Sequence, residues 1–227
     1  MKCVQQLYQE VKRPLRLSVM LDVSESMRTS LGDDTRWIFV KEAMKQFPEY
    51  MEDSANITLT CFADEVYERG GAGVNCASEG SWPSGLMGEA REDIMAYWEY
   101  SMLKSYNAFV FEALNQTYQM AYNEMVNDVD GLYKHVLLVI THPDVREGAK
   151  GEELDELYDL EDSLLDLVGM ALDPDDTVPI YALHFHGHPD YVTADTLSLL
   201  ADRTNGEYIL SKSETIMEDL KEMMYFF

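Results

Sequence analysis

The sequence predicts an α/β protein with a doubly wound, mainly parallel central sheet and helices on both faces. Three short apolar runs carry this prediction, namely Leu15–Asp22, His135–Thr141 and Ile180–Phe185. Each run ends in polar residues, and such runs are typical of strands that are buried on both faces of a parallel sheet. Helical patterns separate the strands, and this alternation indicates an α/β fold.

Further elements complete the predicted sheet. Ile57–Phe62 and Tyr208–Leu210 alternate more between apolar and polar residues, which predicts strands nearer the edges of the sheet. Helices are expected where apolar side chains recur at spacings of three and four. The predicted helical segments are Thr35–Met51, Val110–Ala121, Glu153–Leu172, Leu197–Ala201 and Ile216–Met223. Asn205-Gly206 is a C-terminal signal for the fourth of these helices.

The chain is interpreted as a single domain, residues 1–227, with an insertion at about residues 69–105. The insertion opens with GGAGVNCASEGSWPSG, which is typical of a loop, and continues into a helical pattern around Glu89–Leu103. Long connections of this kind usually have a function or are mobile. A segment that merely covers one edge of the sheet is an equally good interpretation.

The charge of the chain limits its partners. The 42 acidic side chains outnumber the 17 basic ones, which gives a formal net charge of −25. Nucleic acids and anionic membranes are bound through clustered Lys and Arg, so we expect neither as a partner. Much of the acid lies in residues 151–167. A solvated helix face, a docking surface for a basic protein and adaptation to high salt are all open interpretations of it.

The sequence also predicts a cytoplasmic location. The N-terminus has no apolar region ahead of a small-residue cleavage site, and no run approaches the ~18 apolar residues of a membrane span. The three cysteines, Cys3, Cys61 and Cys76, have no paired spacing, so we expect neither a disulfide framework nor a cysteine metal site.

Oxygen-bearing side chains follow the first predicted strand at alternate positions. Asp22, Ser24 and Ser26 occur in the sequence LSVMLDVSESM. A loop can direct alternate side chains to one centre, and a carboxylate with two hydroxyls suits Mg²⁺, Mn²⁺ or Ca²⁺ better than a soft metal. Ligands of α/β sheets bind at the carboxyl ends of the strands. A metal site is therefore predicted at this edge of the sheet.

This motif resembles the DxSxS signature of the von Willebrand factor A family, whose fold is Rossmann-like. The stretch IYALHFHGHPDYVTADTLSLLADRTNGEYIL also looks like the last strand, helix and strand of that family, and the resemblance extends from about Leu15 to Met224. It implies a metal-ion-dependent adhesion site, in which Asp22, Ser24 and Ser26 bind a divalent cation and a partner carboxylate fills an open position. Mg²⁺ is the expected ion, with Mn²⁺ and Ca²⁺ as alternatives.

Two of the five ligand positions that the resemblance implies differ in this chain. Ala108 stands where the family has Thr, with Asn107 as the nearest oxygen donor, and His142 stands where the family has its second Asp, with Asp144 two residues later. Asn107 and Asp144 are therefore weaker candidate ligands, and the loss of a charged ligand should weaken the binding of a hard cation. A degenerate site, in which Asp22 only anchors the loop through hydrogen bonds, is the alternative.

Histidines follow the predicted strands at the same edge as Asp22. They are His142, His184, His186 and His188. Imidazoles suit Zn²⁺, Ni²⁺ or Cu²⁺, so a transition-metal site is one interpretation, and ordinary rim and core histidines are the other. Hydrolase and phosphatase readings are disfavoured, because the chain has no GxSxG motif and Ser24 stands where a haloacid-dehalogenase-type phosphatase needs its second Asp.

We therefore expect a protein-interaction module and not an enzyme. The predicted contact face consists of Asp22–Ser26, the Asn107 loop and the His142–Asp144 loop, with the insertion beside it. The partner would offer an acidic side chain to the ion or a basic patch to the acidic surface. Resemblance to intracellular family members implies an AAA+ ATPase or an assembly component as that partner. The alternative is a structural or scaffold domain with a non-functional metal site, which binds through its acidic or insertion surface.

Overall fold

The computed structural model describes residues 13–23, 27, 30–31, 34–62, 66–67, 85–89, 91–92, 110–142, 162–163, 166, 168, 177–185, 191–212, 215–225 and 227. These residues have the predicted α/β architecture, with a largely parallel sheet between two layers of helices. The predicted helix at Glu153–Leu172 and the insertion at about 69–105 lie largely outside the described residues.

Five long strands form the parallel part of the sheet. In chain order the described strands are β1 (Leu15–Asp22), β2 (Ser30–Leu31), β3 (Asp34–Thr35), β4 (Asn56–Phe62), β5 (Val66–Tyr67), β6 (Gly85–Leu86), β7 (Lys134–Thr141), β8 (Ile180–Phe185) and β9 (Glu207–Ser211). The main sheet has the order β5-β4-β1-β7-β8-β9, and β4, β1, β7, β8 and β9 are parallel neighbours. The short strands β5 and β6 pair antiparallel with β4, and β2 and β3 form a separate hairpin.

The burial of the strands follows from their sequences. The last six residues of β1, the last seven of β7 and all six of β8 are buried. Continuous apolar runs predict this burial, because such strands pack against helices on both faces. Strand β9 ends the described sheet, and Ser211 is its one buried residue. The edge position predicted for β9 is therefore confirmed.

The helices lie between the strands, as the sequence predicts. They are α1 (Arg36–Gln46), α2 (Val110–Asn127), α3 (Tyr191–Arg203) and α4 (Ile216–Met224). The first is shorter than the predicted segment Thr35–Met51, because a 3₁₀ turn at Phe47–Tyr50 replaces its last turn. Pro48 explains the change, since proline has no N–H to donate and its ring clashes with the carbonyl four residues earlier in an α-helix.

Two hydrophobic cores, one on each face of the sheet, hold the helices. Alternate residues of a strand point to opposite faces. Leu17, Val19 and Leu21 accordingly join the core that contains residues of α1 and α4, whereas Met20 joins the core that contains residues of α2 and α3. Full burial of one such side chain contributes about 1.5–3 kcal/mol. This arrangement confirms the doubly wound sheet.

The end of α3 shows why Asn205-Gly206 terminates the helix. Asn205 has a φ of 59°, and the Gly206 N–H donates to the Ala201 carbonyl at 2.8 Å. These features are those of a left-handed helix cap. A Cβ at Gly206 would lie 2.0 Å from the Ile180 carbonyl oxygen, so only glycine fits between the helix end and β8.

One cysteine departs from the sequence-based expectation. Cys61, buried in β4, forms a disulfide bond whose partner lies outside the described residues. Spacing along the chain does not reveal such a pair, because the pairing depends on which loops meet in three dimensions. In the described parts of the chain, no helix is both long and apolar enough to cross a bilayer.

Candidate functional site

The sheet brings three of the predicted site positions to one edge. Strands β1, β7 and β8 are parallel neighbours, so their carboxyl ends meet. Leu21 is level with Ile140, and Thr141 is level with His184. The side chains of Asp22, Thr141 and His184 therefore belong to one row across the sheet, with His142 one residue beyond it.

Asp22 ends β1 with a fully buried side chain, which is 0% exposed. Its Oδ2 accepts a hydrogen bond from the Thr141 hydroxyl at 3.0 Å and another from the His142 backbone N–H at 3.3 Å. A buried carboxylate needs such partners, because removal from water penalises its charge strongly. The end of β7 thus fixes the orientation of the Asp22 carboxylate.

The first residue after β1 still pairs with the end of the neighbouring strand β4. The Val23 N–H donates to the Phe62 carbonyl at 2.9 Å, which extends the parallel pairing one residue beyond the strand. The DxSxS loop starts at this point. Its Ser24 and Ser26 lie outside the described residues, and so do Asn107, Asp144, His186 and His188. Their assignment as ligands or rim residues remains a prediction.

His142, whose backbone N–H contacts the Asp22 carboxylate, has 5% of its surface exposed. Neither of its ring nitrogens has a hydrogen-bond partner within the described structure. Burial, together with the nearby positive charges of Arg36 and His184, lowers the pKa of His142 to about 3. The imidazole is therefore neutral at physiological pH and keeps one lone pair for a ligand.

Arg36 adds a positive charge to this edge. It is the first residue of α1, it is 5% exposed, and its charge contributes to the lowered pKa of His142. The guanidinium therefore lies close enough to influence any ion bound beside the imidazole. The positive end of the helix dipole lies at the N-terminus of α1, and it also disfavours a bound metal ion there.

Tyr208 orients the histidine of the neighbouring strand. Its hydroxyl lies 2.5 Å from Nδ1 of His184, and the two rings meet edge to face at 69°. Burial, and to a lesser extent the negative charge of Asp195, raises the pKa of Tyr208 to about 12. The hydroxyl therefore stays protonated at physiological pH and holds the ring of His184 through Nδ1.

Sequence reasoning identified Asp22 and His142 but missed Thr141 and Arg36 as parts of the site. Thr141 ends a predicted strand, so the sheet order that the resemblance implies was a usable signal for it. Arg36 had no such signal, because an Arg that begins an amphipathic helix is usually solvated. His142 was expected as a partner contact, and its burial means that it would reach a partner only through a group that enters the site.

The ligand atoms of the described residues limit which metal ion could bind at this edge of the sheet. The Asp22 carboxylate is the one oxygen ligand among the described residues that the sequence assigns to the ion, and carboxylate oxygen suits a hard divalent cation. Within the described ranges no three His, Cys, Asp or Glu side chains are grouped closely enough to hold a metal. A complete site would therefore need donors from the DxSxS loop as well.

Comparison with solved structures finds similar folds at low sequence identity. A von Willebrand factor type A protein from Catenulispora acidiphila aligns with a TM-score of 0.60 and 15% identity, over 93% of this chain and 42% of that one. Proximal thread matrix protein 1 from the mussel byssus, solved with a zinc-occupied MIDAS motif, aligns with a TM-score of 0.57 and 10% identity, over 93% and 47%. The pilus adhesin SpaC from Lactobacillus rhamnosus GG gives 0.56 and 12%, over 96% and 31%.

The chain thus spans less than half the length of each of these structures. No protein-family model and no curated protein matches the sequence. The sheet order, the two helix layers and the three structural alignments agree on one architecture. The chain has the von Willebrand factor A-type fold.

Proposed function

We propose that this chain is a protein-interaction module that binds its partner at the carboxyl edge of the sheet through a divalent cation. Asp22, Ser24 and Ser26 would hold the ion, with Asn107 and Asp144 as weaker candidates. The observation that carries the proposal is the Asp22 carboxylate, fully buried and oriented by the Thr141 hydroxyl and the His142 N–H. An oriented, buried carboxylate at this edge is what a cation site requires.

The residues of the chain would orient the metal ligands before any partner binds. Thr141 and the His142 backbone hold Asp22 in one orientation, so little ordering remains when an ion binds. When bound, the cation supplies a coordination position for a carboxylate of the partner. The role is binding and not turnover, and no residue is assigned a catalytic step.

Similar proteins support a protein as the partner. One of the solved structures is a matrix protein with a zinc-occupied MIDAS motif, and another is a pilus adhesin. Mg²⁺ is the proposed ion, with Mn²⁺ or Ca²⁺ as alternatives. We propose further that the partner offers a carboxylate to the ion or a basic patch to the acidic surface, as an AAA+ ATPase or an assembly component would.

Location belongs to the proposal as well. The sequence predicts the cytoplasm, whereas the Cys61 disulfide favours an oxidising compartment, because disulfides are rare in reduced cytosol. The redox state of Cys61 in protein isolated from its native source separates these two locations.

A second candidate function is a scaffold domain without a bound ion. The observation that favours it is Arg36, whose charge already acts on the His142 imidazole at this edge. The positive charge of the Arg36 guanidinium repels a divalent cation and therefore disfavours its binding at this edge. In that case the hydrogen bonds to Asp22 only anchor the loop, and the partner contacts the acidic or insertion surface.

Titration calorimetry of metal-stripped protein with Mg²⁺ and Mn²⁺ tests the first candidate. We expect Asp22→Asn to abolish binding, whereas Asp202→Asn should leave it unchanged, because Asp202 is an exposed acid on α3. The two changes remove the same charge, so only the position differs. No binding by the wild type, with Asp22→Asn altering stability alone, would favour the scaffold candidate.

Water-proton relaxation of the Mn²⁺-loaded protein tests the open coordination position. We expect relaxation to be enhanced by an exchangeable water on the ion, and a blocked Gly-Glu-Gly peptide should lower that enhancement by displacing the water. A Gly-Gln-Gly peptide is the matched control, because it lacks the carboxylate. Equal effects of the two peptides would contradict capture of a partner carboxylate.

A further inference from the structure

One edge of the main sheet is formed by β9. Among the described residues β9 pairs only with β8, its inner neighbour. All six residues of β8 are buried, whereas four of the five residues of β9 are partly or largely exposed, and Leu210 is 52% exposed. Edge strands are commonly protected by lysine or proline. Glu207–Ser211 contains neither residue, so another strand can pair with this edge.

The sheet register determines which backbone groups of β9 point outward. Along a strand, the N–H and C=O groups of successive residues point to alternate sides. The Leu137 N–H donates to the Pro179 carbonyl at 2.9 Å, so Pro179 and every second residue after it face β7. The residues between these, which include Ala182 and His184, therefore face β9.

The same alternation assigns the two sides of β9. Ala182 is level with Tyr208, and in a parallel pair such a residue bonds to the two neighbours of its partner, here Glu207 and Ile209. Tyr208 and Leu210 then direct their N–H and C=O groups away from the sheet. These backbone groups have no hydrogen-bond partner within the described structure. They are a template for hydrogen bonds to an extended chain.

The side chains beside these groups indicate which extended chain would fit. Tyr208 packs in the core that contains residues of α3, and Leu210 shares its face because alternate residues of a strand point the same way. Asp195 on α3 lies close enough to Tyr208 for its charge to act on the phenol. Leu199, one helical turn after Asp195, is on the same side of α3 and is 39% exposed. The edge thus presents two exposed leucines beside an acid.

The surroundings of β9 are acidic. Strand β9 and the helices that pack against it, α3 and α4, carry six acidic and two basic side chains. The acidic ones are Asp195, Asp202, Glu207, Glu218, Asp219 and Glu222, the basic ones are Arg203 and Lys221, and Lys212 directly follows the strand. The net charge of the whole chain is −25. A second copy of the chain is therefore repelled, whereas a positively charged segment is attracted.

We propose that β9 is the docking site for an extended, positively charged segment of a partner protein, which adds a strand to this edge of the sheet. The backbone of the segment pairs with Tyr208 and Leu210, and its apolar side chains cover Leu199 and Leu210. In strand addition, main-chain hydrogen bonds give affinity and alternate side chains give specificity. The contact involves no cation, so it goes beyond the proposed function.

Hydrogen exchange of the whole chain, read by NMR for individual amides, tests the proposal with a defined probe. The probe is the blocked peptide Lys-Val-Thr-Val-Thr-Val-Lys, whose valines share one face of an extended chain. The matched control carries N-methyl groups on two adjacent central residues, one for each edge of the peptide, and keeps the same charge and side chains. A second control replaces both lysines by glutamate.

We expect the amides of Tyr208 and Leu210 to exchange quickly in the free chain and that of Ile209 slowly, because only Ile209 bonds to β8. The lysine peptide at about ten times its Kd should slow the first two by about 11-fold, since about one chain in eleven is then free. The N-methylated and glutamate peptides should slow neither. Asp22→Asn in EDTA should give the same results as wild type.

Two substitutions of Leu210 separate the backbone from the side chain. Leu210→Pro removes an outward N–H without removing a bond to β8, and proline is tolerated at such positions of an edge strand, so this variant should lose peptide binding. Leu210→Ala keeps the N–H and should weaken binding without abolishing it. Circular dichroism establishes that each variant is folded. If Leu210→Pro is unfolded, the comparison of the plain and N-methylated peptides on wild type decides.

Three results would overturn the proposal. Slow exchange of Tyr208 and Leu210 in the free chain would mean that the edge is already paired, either with a second copy, which sedimentation at increasing concentration detects, or with another segment of the same chain. Equal binding of the plain and N-methylated peptides would reduce the contact to charge attraction. Absence of binding by the lysine peptide up to its solubility limit would remove the docking site. None of these results affects the cation site at Asp22.

Discussion

Replacement of Thr141 by Val removes the hydroxyl that holds Asp22. Valine has the shape of threonine without the hydroxyl, so the change removes the 3.0 Å bond to Oδ2 of Asp22 and the longer 3.3 Å contact with the His142 carbonyl, while the His142 N–H still donates to Oδ2. A hydrogen bond to a charged group contributes about 1.5–3 kcal/mol. We therefore expect the free energy of unfolding of the metal-free protein to fall by about 2 kcal/mol.

The chain provides a matched control for that change. Thr117 in α2 is buried, and its hydroxyl has no hydrogen-bond partner among the residues described here. Thr117→Val should therefore be neutral or stabilising, because it replaces an unsatisfied hydroxyl by a methyl group. The difference between the two variants measures the hydrogen bonding of the Thr141 hydroxyl, chiefly its bond to Asp22, free of the general effect of exchanging a hydroxyl for a methyl.

Urea unfolding in EDTA, followed by circular dichroism, gives both free energies. A loss of about 2 kcal/mol corresponds to a fall in Tm of roughly 4–8 °C for a domain of this size. The slope of free energy against urea should stay constant if only native-state stability changes. Equal effects of Thr141→Val and Thr117→Val would refute the claim that Thr141 holds the carboxylate.

Three further predictions follow from the structure. Gly206→Ala should lower the free energy of unfolding in urea by more than about 3 kcal/mol, because its Cβ would meet the Ile180 carbonyl oxygen at 2.0 Å. Gly131→Ala is the control, because Gly131 has a φ of 59° but open space around it. Equal losses of stability in the two variants would contradict the steric reason. Below pH 6.5 the unfolded chain protonates His142 while the native chain, with a pKa of about 3, does not. The free energy of unfolding should therefore fall with decreasing pH by up to about 1.4 kcal/mol per unit from this group. His142→Asn should make the metal-free profile shallower by that amount, and an unchanged profile would show that the native imidazole titrates normally. Finally, thiol titration of denatured, unreduced protein should detect one free cysteine of the three, because Cys61 and its partner are oxidised; three free thiols without reductant would contradict the disulfide.

The strands and the arrangement of layers were predictable because burial on two faces leaves a strong pattern. The runs Leu15–Asp22 and Ile180–Phe185 match β1 and β8 to the residue, since a strand with no solvent-exposed face has no polar interruption. The end of the predicted helix Thr35–Met51 was less certain from periodicity. Phe47 and Met51 are buried and keep the apolar spacing, yet Pro48 has already converted the backbone to a 3₁₀ turn.

The site was predictable only in part. Asp22 ends a clear strand, and the sheet order then determines its neighbours Thr141 and His142. The burial of Arg36 depends on how α1 packs against the edge, which no local pattern records. The unpartnered state of the His142 ring is likewise a property of everything around it, so a sequence-based interpretation assigned this residue to the partner-contacting rim.

Anomalous diffraction from crystals grown with Zn²⁺ and, separately, with Mn²⁺ tests most directly whether this edge is a cation site. We predict an anomalous peak about 2.0–2.2 Å from a carboxylate oxygen of Asp22. Crystals of Asp22→Asn should lack the peak. Metal bound only elsewhere on the chain, or an edge without a peak at saturating metal, would contradict the account.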